Sequence, residues 1–153
     1  MPAQRLSDMK KWERVPVYAD KAKADDPYIL VRADDADFWR AFYGARDAEQ
    51  ERLNAEAGKP VPLDGIAHDR LFNTACIGRT FGGFGYLLDY DGCPIDDGRG
   101  ADGKGELNVD ACLKVMEGMD LYDAFVTARV RLKKERDERW GNTRPNPTAA
   151  TAT

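Results

Sequence analysis

The sequence is poor in the residues on which most catalytic and metal sites depend. Its 153 residues include one serine, Ser7, and one histidine, His68. The three cysteines are Cys76, Cys93 and Cys112. Ser7 and His68 lie in separate segments, which argues against a serine hydrolase, and the cysteines form no C-x-x-C pair, which argues against a zinc ribbon or a disulfide framework. We therefore expect no enzyme activity, no cofactor and no metal.

Long apolar runs and an excess of positive charge are also missing. No segment approaches the roughly 18 apolar residues of a membrane span, and the stretch from Met1 to Lys11 lacks the apolar core of a signal peptide. Lys and Arg total 23 against 27 Asp and Glu, a formal net charge of -4. Nucleic-acid binding needs clustered basic residues instead. We expect a cytoplasmic protein that binds neither membrane nor nucleic acid.

The composition supports one core inside a charged shell, because hydrophobic residues make up 42% of the chain and charged residues 33%. We predict an α+β fold, mostly helical, with four to five helices and one or two short β-hairpins. Residues 1–13 are expected to form an N-terminal arm, 14–140 a single globular domain, and 141–153 a disordered tail without core-forming residues.

The first half of the chain predicts a hairpin and a long helix. Strands are expected at Arg14 to Tyr18 and Tyr28 to Arg32, which are rich in β-branched and aromatic residues. A helix begins after Asp34 or Asp35 and ends at Gly58. Its inward face is expected to pack with residues of other elements in one buried cluster. The residues expected in that cluster are Phe38, Trp39, Phe42, Phe72, Phe84, Leu121 and Phe125.

The second half predicts three further helices. One spans Asp64 to Ile77, one is capped by Asn108 or Asp110, and the last is capped by Asp120. The residues expected to be buried on the first and last of these are Ile66, Leu71, Phe72, Ala75, Leu121, Tyr122, Phe125, Ala128 and Leu132.

Two glycine-rich stretches separate these helices. Gly78 to Gly85 reads as a helix stop that packs closely against aromatics, with Phe81, Phe84 and Tyr86 in the core. The Asp91-Gly92 pair predicts a tight turn that returns through Cys93 to Ile95. The stretch DDGRGADGKG at 96–105 has four glycines in ten residues, which predicts a mobile, solvated loop. No register of the acidic stretch from Asp89 to Glu106 fits the calcium-binding loop of an EF-hand. Nor does Gly78 to Gly85 fit a P-loop or a dinucleotide fingerprint.

The last helix carries interleaved charges, which are typical of a solvated helix with i, i+4 pairs. The alternative is a contact surface for a partner, for which the candidate residues are Arg129, Lys133, Lys134, Arg136 and Trp140. Beyond Leu132 the apolar periodicity ends, so the last two turns should project past the core, supported by charge pairs alone.

One segment resembles a known family. It contains a glycine–aromatic–glycine at 83–85, the acidic turn LLDYDGCPI at 87–95, a loop, and two helices carrying Leu113, Val115 and Leu121. This order of features resembles the C-terminal half of the small tail assembly chaperones of long-tailed bacteriophages. The resemblance implies a non-enzymatic protein that binds the tape measure and tail tube proteins in the host cell cytoplasm and is absent from the finished particle.

Two alternatives belong to other classes of protein. One is a small phage-encoded inhibitor of a host defence complex, which would act by charge mimicry and present one continuous acidic face. The other is a structural head or tail component that stays in the virion.

Overall fold

The computed structural model describes residues 11–18, 24–100, 102–118 and 121–143. Within these ranges the chain forms a three-stranded antiparallel sheet of order β1-β2-β3 and four helices. The strands are β1 (Glu13–Pro16), β2 (Tyr28–Val31) and β3 (Phe81–Gly85). The helices are α1 (Ala36–Ala57), α2 (Gly65–Cys76), α3 (Val109–Gly118) and α4 (Leu121–Thr143). The predicted α+β, mostly helical fold class is confirmed.

The predicted hairpin of β1 and β2 is present. The register pairs Glu13 with Val31 and Pro16 with Tyr28. Pro16 stands at the end of an edge strand, where its missing N–H leaves no ladder position unpaired. Ile29 and Val31, on one face of β2, are fully buried, so the strand pattern read from the sequence identifies the face on which the core lies.

The third strand corrects the interpretation of the glycine-rich stretch. Phe81 to Gly85 does not merely end a helix but pairs with β2, with a bulge between Ile29 and Val31. Glycine weakens a strand because it has no side chain to pack. Here rings from neighbouring segments take that place: a Cβ on Gly82 would lie 2.7 Å from the Trp12 ring.

Helix α1 begins and ends where the sequence predicts. Asp35 is the N-cap, and its carboxylate accepts a hydrogen bond from the Phe38 N–H at 3.0 Å. Gly58 ends the helix with a φ of 67°, in the left-handed region that favours glycine.

The caps of two later helices also agree with the sequence. Asp64 accepts from the Ile66 N–H at 2.7 Å, and Asn108 accepts from the Ala111 N–H at 3.1 Å. The predicted cap Asp120 lies outside the described residues. Helix α4 continues through Thr143, into the segment predicted as a tail.

The core is a single cluster drawn from β2, β3 and all four helices, with Val15 of β1 packed against it partly buried. Phe38, Phe42, Phe84, Leu121 and Phe125 are buried in it, and Trp39 and Phe72 pack against it partly buried, as predicted. Three residues predicted to be buried are exposed instead: Ile66 at 81%, Tyr86 at 56% and Tyr122 at 40%.

Each of these three exposures has a local reason. Ile66 lies in the first turn of α2, next to its cap. Tyr122 lies one residue from Leu121, and a step of 100° on a helix carries it off the buried stripe that contains Phe125 and Ala128. Tyr86 follows β3 with a φ of 59°, in the left-handed region, and its ring packs on Tyr28 while the next residue, Leu87, is buried in the core.

The loop after the turn is fastened to the free edge of β3 by an ion pair. The Phe84 N–H donates to Asp97 Oδ2 at 3.0 Å, and Arg99 Nη2 donates to the Phe84 carbonyl at 3.3 Å. Asp97 and Arg99 are themselves joined, with Arg99 Nε 2.7 Å from Asp97 Oδ2. Together they present to Phe84 the acceptor and the donor that a neighbouring strand would supply, and so cover an edge that could otherwise pair with another chain.

The ion pair corrects the expectation of a mobile, solvated loop over 96–105 at Asp97 and Arg99, which are held against β3. The other described residues of the loop are exposed, as expected. Asp97 is 5% exposed, and its carbonyl accepts from the Asn108 N–H at 2.7 Å, which fixes the start of α3. Gly83 makes room for the pair, because a Cβ at its φ of 117° would overlap the Asp97 carboxylate. None of the helices in the described ranges has a stretch long and apolar enough to cross a bilayer.

Replacing Phe42 by Ala should lower the free energy of unfolding by about 3–5 kcal/mol, the usual effect of removing a buried aromatic ring. Phe42 is 3% exposed and packs edge-on against Phe72 with ring centroids 5.2 Å apart. Urea denaturation measures the change. Ile66→Ala is the matched control, and its effect should stay within about 0.5 kcal/mol because the side chain is exposed. Equal effects of both variants would contradict the assignment of the core.

The Asp97 pair should make stability depend on pH. Burial alone would raise the pKa of Asp97, but hydrogen bonds from the Arg99 side chain, the Arg99 N–H and the Phe84 N–H outweigh it and hold the pKa below its ordinary value. A carboxyl with a lowered folded-state pKa stabilises the fold above its unfolded pKa, about 3.9. That stabilisation is lost as the pH falls through the folded-state pKa.

Asp97→Asn should therefore lower the free energy of unfolding by about 2–3 kcal/mol at neutral pH. The difference from the wild type should shrink as the pH falls below about 4, because the wild-type carboxyl is then protonated too. Urea denaturation across the acid range measures both effects. The exposed Arg46–Asp47 pair supplies the control Asp47→Asn, which should change stability little at any pH. A difference at Asp97 that does not vary with pH would show that the charge is not responsible.

Candidate protein-binding surface

Four of the six tyrosines of the chain lie in the segments that begin or leave one end of the sheet. The register pairs Pro16 with Tyr28 and Tyr28 with Gly85, so the end of β1, the start of β2 and the end of β3 lie side by side. Tyr18 follows β1, Tyr28 begins β2 and Tyr86 follows β3. Leu88 and Tyr90 lie in the turn after β3, and they complete a set of five residues. We call this set the tyrosine surface.

Tyr28 is the fixed centre of the tyrosine surface. Its ring covers Gly85, where a Cβ would overlap the ring. The guanidinium carbon of Arg14 lies 3.8 Å from the Tyr28 ring centroid, a cation–π distance. Tyr86 contacts the same ring edge-on, with centroids 5.9 Å apart. Arg14 is held in turn by donating from Nη2 to the Ala24 carbonyl at 2.6 Å.

The turn after β3 is held by the side chain of Asp89. Its Oδ1 accepts from the Asp91 N–H at 2.9 Å and from the Cys93 N–H at 2.8 Å. Backbone hydrogen bonds close the same turn: the Asp89 N–H donates to the Cys93 carbonyl at 2.8 Å, and the Ile95 N–H donates to the Leu87 carbonyl at 2.9 Å. The predicted return through 93–95 is confirmed, as a bridge between Leu88 and Pro94.

This ordered turn displays large side chains to solvent. Leu88 is 51% exposed and Tyr90 is 91% exposed, beside Tyr86 at 56%. Tyrosine is enriched where proteins bind one another, because its rigid ring buries a large area with little loss of conformational entropy. The left-handed backbone of Tyr86 adds a second feature, since strained non-glycine residues cluster at functional sites. The arrangement suits contact with another polypeptide.

The sequence reasoning missed this surface, although it contains a signal. Tyr86 was expected in the core, and Tyr18 and Tyr28 were assigned only to strands. Tyrosines at adjacent strand ends of a predicted hairpin must lie together. The alternation of Leu88 and Tyr90 with aspartates in the turn marks side chains that no core covers.

The structure does not bring the predicted partner-binding residues of the last helix together. Arg129 lies inside the fold: its side chain is 16% exposed and its Nε is 3.5 Å from Asp34 Oδ1. Its guanidinium carbon lies 4.7 Å from the ring centroid of Phe72 and 5.8 Å from that of Phe125. Arg136 Nη1 donates to the Asp34 carbonyl.

Other parts of α4 are accessible. Lys133 and Lys134 are exposed, and the side chain of Trp140 lies outside the described residues. Arg131 pairs with Glu13 at 3.2 Å, so the helix is attached to β1 as well as to Asp34. Beyond Leu132, Arg136 donates to the Asp34 backbone carbonyl, so the expectation that the last turns are supported by charge pairs alone is wrong.

The three cysteines and the histidine lie in different environments. Burial raises the pKa of the Cys76 thiol to about 11 and that of Cys112 to about 12, so both are protonated at neutral pH. Cys93 is exposed, and at the surface His68 Nδ1 lies 3.6 Å from Asp69 Oδ1. Across the part of the chain that the structure describes, no three His, Cys, Asp or Glu side chains converge as a metal site would require.

No family model, curated protein or solved structure matches this chain. The function must therefore be argued from the geometry of the tyrosine surface and from the resemblance in the sequence, which covers the same turn.

Asp89→Ala should loosen the turn, because the Asp91 and Cys93 N–H groups lose their acceptor. The expected loss of stability is about 1 kcal/mol, and amide hydrogen exchange at both positions should become faster. Asp89→Asn is the matched control, since an amide oxygen can accept the same two hydrogen bonds. Similar exchange in both variants would show that the backbone alone holds the turn.

Proposed function

We propose that this protein is a non-enzymatic assembly factor that binds other polypeptides through the tyrosine surface. By the resemblance of its 83–128 segment, it acts in phage morphogenesis as a tail assembly chaperone for the tape measure or tail tube protein. The observation that supports the proposal most is the turn at 86–95, in which an ordered backbone holds Tyr86, Leu88 and Tyr90 exposed.

The order of the turn matters for binding. A partner that docks on a flexible loop must offset the entropy of ordering it. Here the Asp89 side chain holds the middle of the segment, and the contact of Asp97 with Phe84 joins its two ends, before any partner arrives. The apolar area of the exposed side chains is then available for association, at roughly 25 cal/mol per Å² buried.

The charge distribution supports an assembly factor more than an inhibitor that mimics a charged surface. Mimicry requires one continuous acidic face, whereas acids on the helices alternate with arginines. Arg52 pairs with Glu49 and Glu56 on α1, and Arg131 pairs with Glu135 on α4. Paired charges present little net field to a partner.

The proposal predicts that removing apolar side chains from the tyrosine surface abolishes partner binding without unfolding the protein. The test variant is Tyr86→Asn with Leu88→Ser, and Asn is chosen because it tolerates a left-handed backbone. The full chain is co-expressed with the tail tube and tape measure proteins encoded in its own genome. The wild type should co-purify with at least one, and the variant with neither, while its Tm stays within about 3 °C.

The matched control is Tyr122→Asn with Ile66→Ser, which makes the same replacements at exposed positions on the helices. It should co-purify as the wild type does. Failure of the wild type to bind either protein, or binding by the surface variant, would overturn the proposal. Mass spectrometry of purified particles tests the virion alternative, since a chaperone should be missing from them and a structural component present.

A further inference from the structure

The tyrosine surface is bordered by acidic side chains. Asp89 and Asp91 alternate with its turn residues and are exposed. Asp25, also exposed, follows Ala24, whose carbonyl is bonded to Arg14 at the edge of the surface. Among the residues that the structure describes at this edge, Arg14 offsets one of these charges. A partner segment laid across the exposed rings therefore meets an apolar centre with a negative border.

We infer that the tyrosine surface binds a partner segment in which Lys or Arg side chains lie beside apolar ones. This inference rests on the proposed function and names the chemistry of the partner. Charge complementarity supplies the reason: the border is negative, and like charges placed against it would be repelled.

The surface already binds one cation of the protein itself. Arg14 stacks on Tyr28 at 3.8 Å, and its guanidinium carbon is also 5.9 Å from the Tyr86 ring centroid. Aromatic faces attract cations through their negative electron density, and nearby carboxylates strengthen that attraction. Tyr86 and Tyr90 expose further ring area, and Asp89 and Asp91 are their neighbours in sequence. A Lys or Arg of the partner would therefore find an aromatic face, as Arg14 does, with carboxylates nearby.

The arginine of the nearby loop does not cancel the negative border. Arg99 is paired with Asp97 at 2.6 Å, and the two side chains are only 20% and 5% exposed. Their charges therefore compensate one another below the surface. Asp89 and Asp91 are exposed to solvent, although Asp89 Oδ1 also accepts the two hydrogen bonds of the turn.

The test uses two synthetic amphipathic peptides of equal length and equal leucine content, one carrying lysines and the other glutamates. Each is titrated into the isotope-labelled full chain, and backbone amide shifts and Kd are measured by NMR. The lysine peptide should bind about tenfold more tightly than the glutamate peptide at low salt. Its shifts should centre on 86–91 and Tyr28, and the difference between the peptides should narrow at higher salt.

Two variants of equal net charge show whether the border is responsible. Asp25→Asn with Asp89→Asn and Asp91→Asn removes the border charges and retains the acceptors that hold the turn. The matched control removes three exposed acids elsewhere: Glu51→Gln, Asp123→Asn and Glu138→Gln. The border variant should lose most of the preference for the lysine peptide, and the control should keep it.

Equal affinity of the two peptides, shifts that centre elsewhere, or an equal loss in both variants would overturn the inference. No natural partner enters this test, so its outcome is separate from the co-purification experiment. Co-purification together with equal peptide affinities would reject the charge preference and leave the assembly role. Selective peptide binding without co-purification would support the chemistry of the surface and reject the assembly role.

Discussion

The ion pair of Asp97 and Arg99 on the edge of β3 is the contact on which most of the molecule depends. By bonding to both the N–H and the carbonyl of Phe84, the pair completes a strand that consists largely of glycine. It also fixes the far end of the turn at 86–95 and, through the Asp97 carbonyl, the start of α3. A short side-chain contact thus joins the sheet, the candidate surface and the second half of the core. A buried pair of this kind is tolerated because each charge makes further hydrogen bonds: Asp97 accepts from the Phe84 and Arg99 N–H groups, and Arg99 donates to the Phe84 carbonyl.

The parts of the fold that follow from local physics could be predicted from the sequence. Caps such as Asp35 and Asn108 act on N–H groups two or three residues away, and the buried stripe of α4 follows helical periodicity. Strand β3 could not be predicted in this way, because Gly82 and Gly85 have no side chains and so show no strand pattern in the sequence. What packs there are the rings of Trp12 and Tyr28, which are remote in sequence. Local patterns do not record such contacts.

The charged residues of the last helix show the same limit of local sequence patterns. An interleaved run of Arg and Glu is consistent with either a solvated face or a contact surface, and the sequence contains nothing to choose between them. In the fold, Arg129 and Arg136 both reach Asp34, one through its carboxylate and the other through its carbonyl. These two contacts hold α4 against the residues that precede α1. Arg129 also covers the rings of Phe72 and Phe125, so its role is that of a core residue with a charged end.

This division of roles favours the end of the sheet over the helix as the proposed binding surface. Where α4 meets the body, its arginines already have partners, and a competing polypeptide would have to break contacts such as Arg129 with Asp34. At the tyrosine surface the opposite holds: the hydrogen bonds of the turn are satisfied internally by Asp89, while the side chains of Leu88 and Tyr90 remain exposed to solvent. Association there would bury apolar area without breaking any hydrogen bond that holds the turn. The left-handed backbone of Tyr86 is consistent with this proposal, because strained residues at positions where glycine would fit more easily cluster at functional sites.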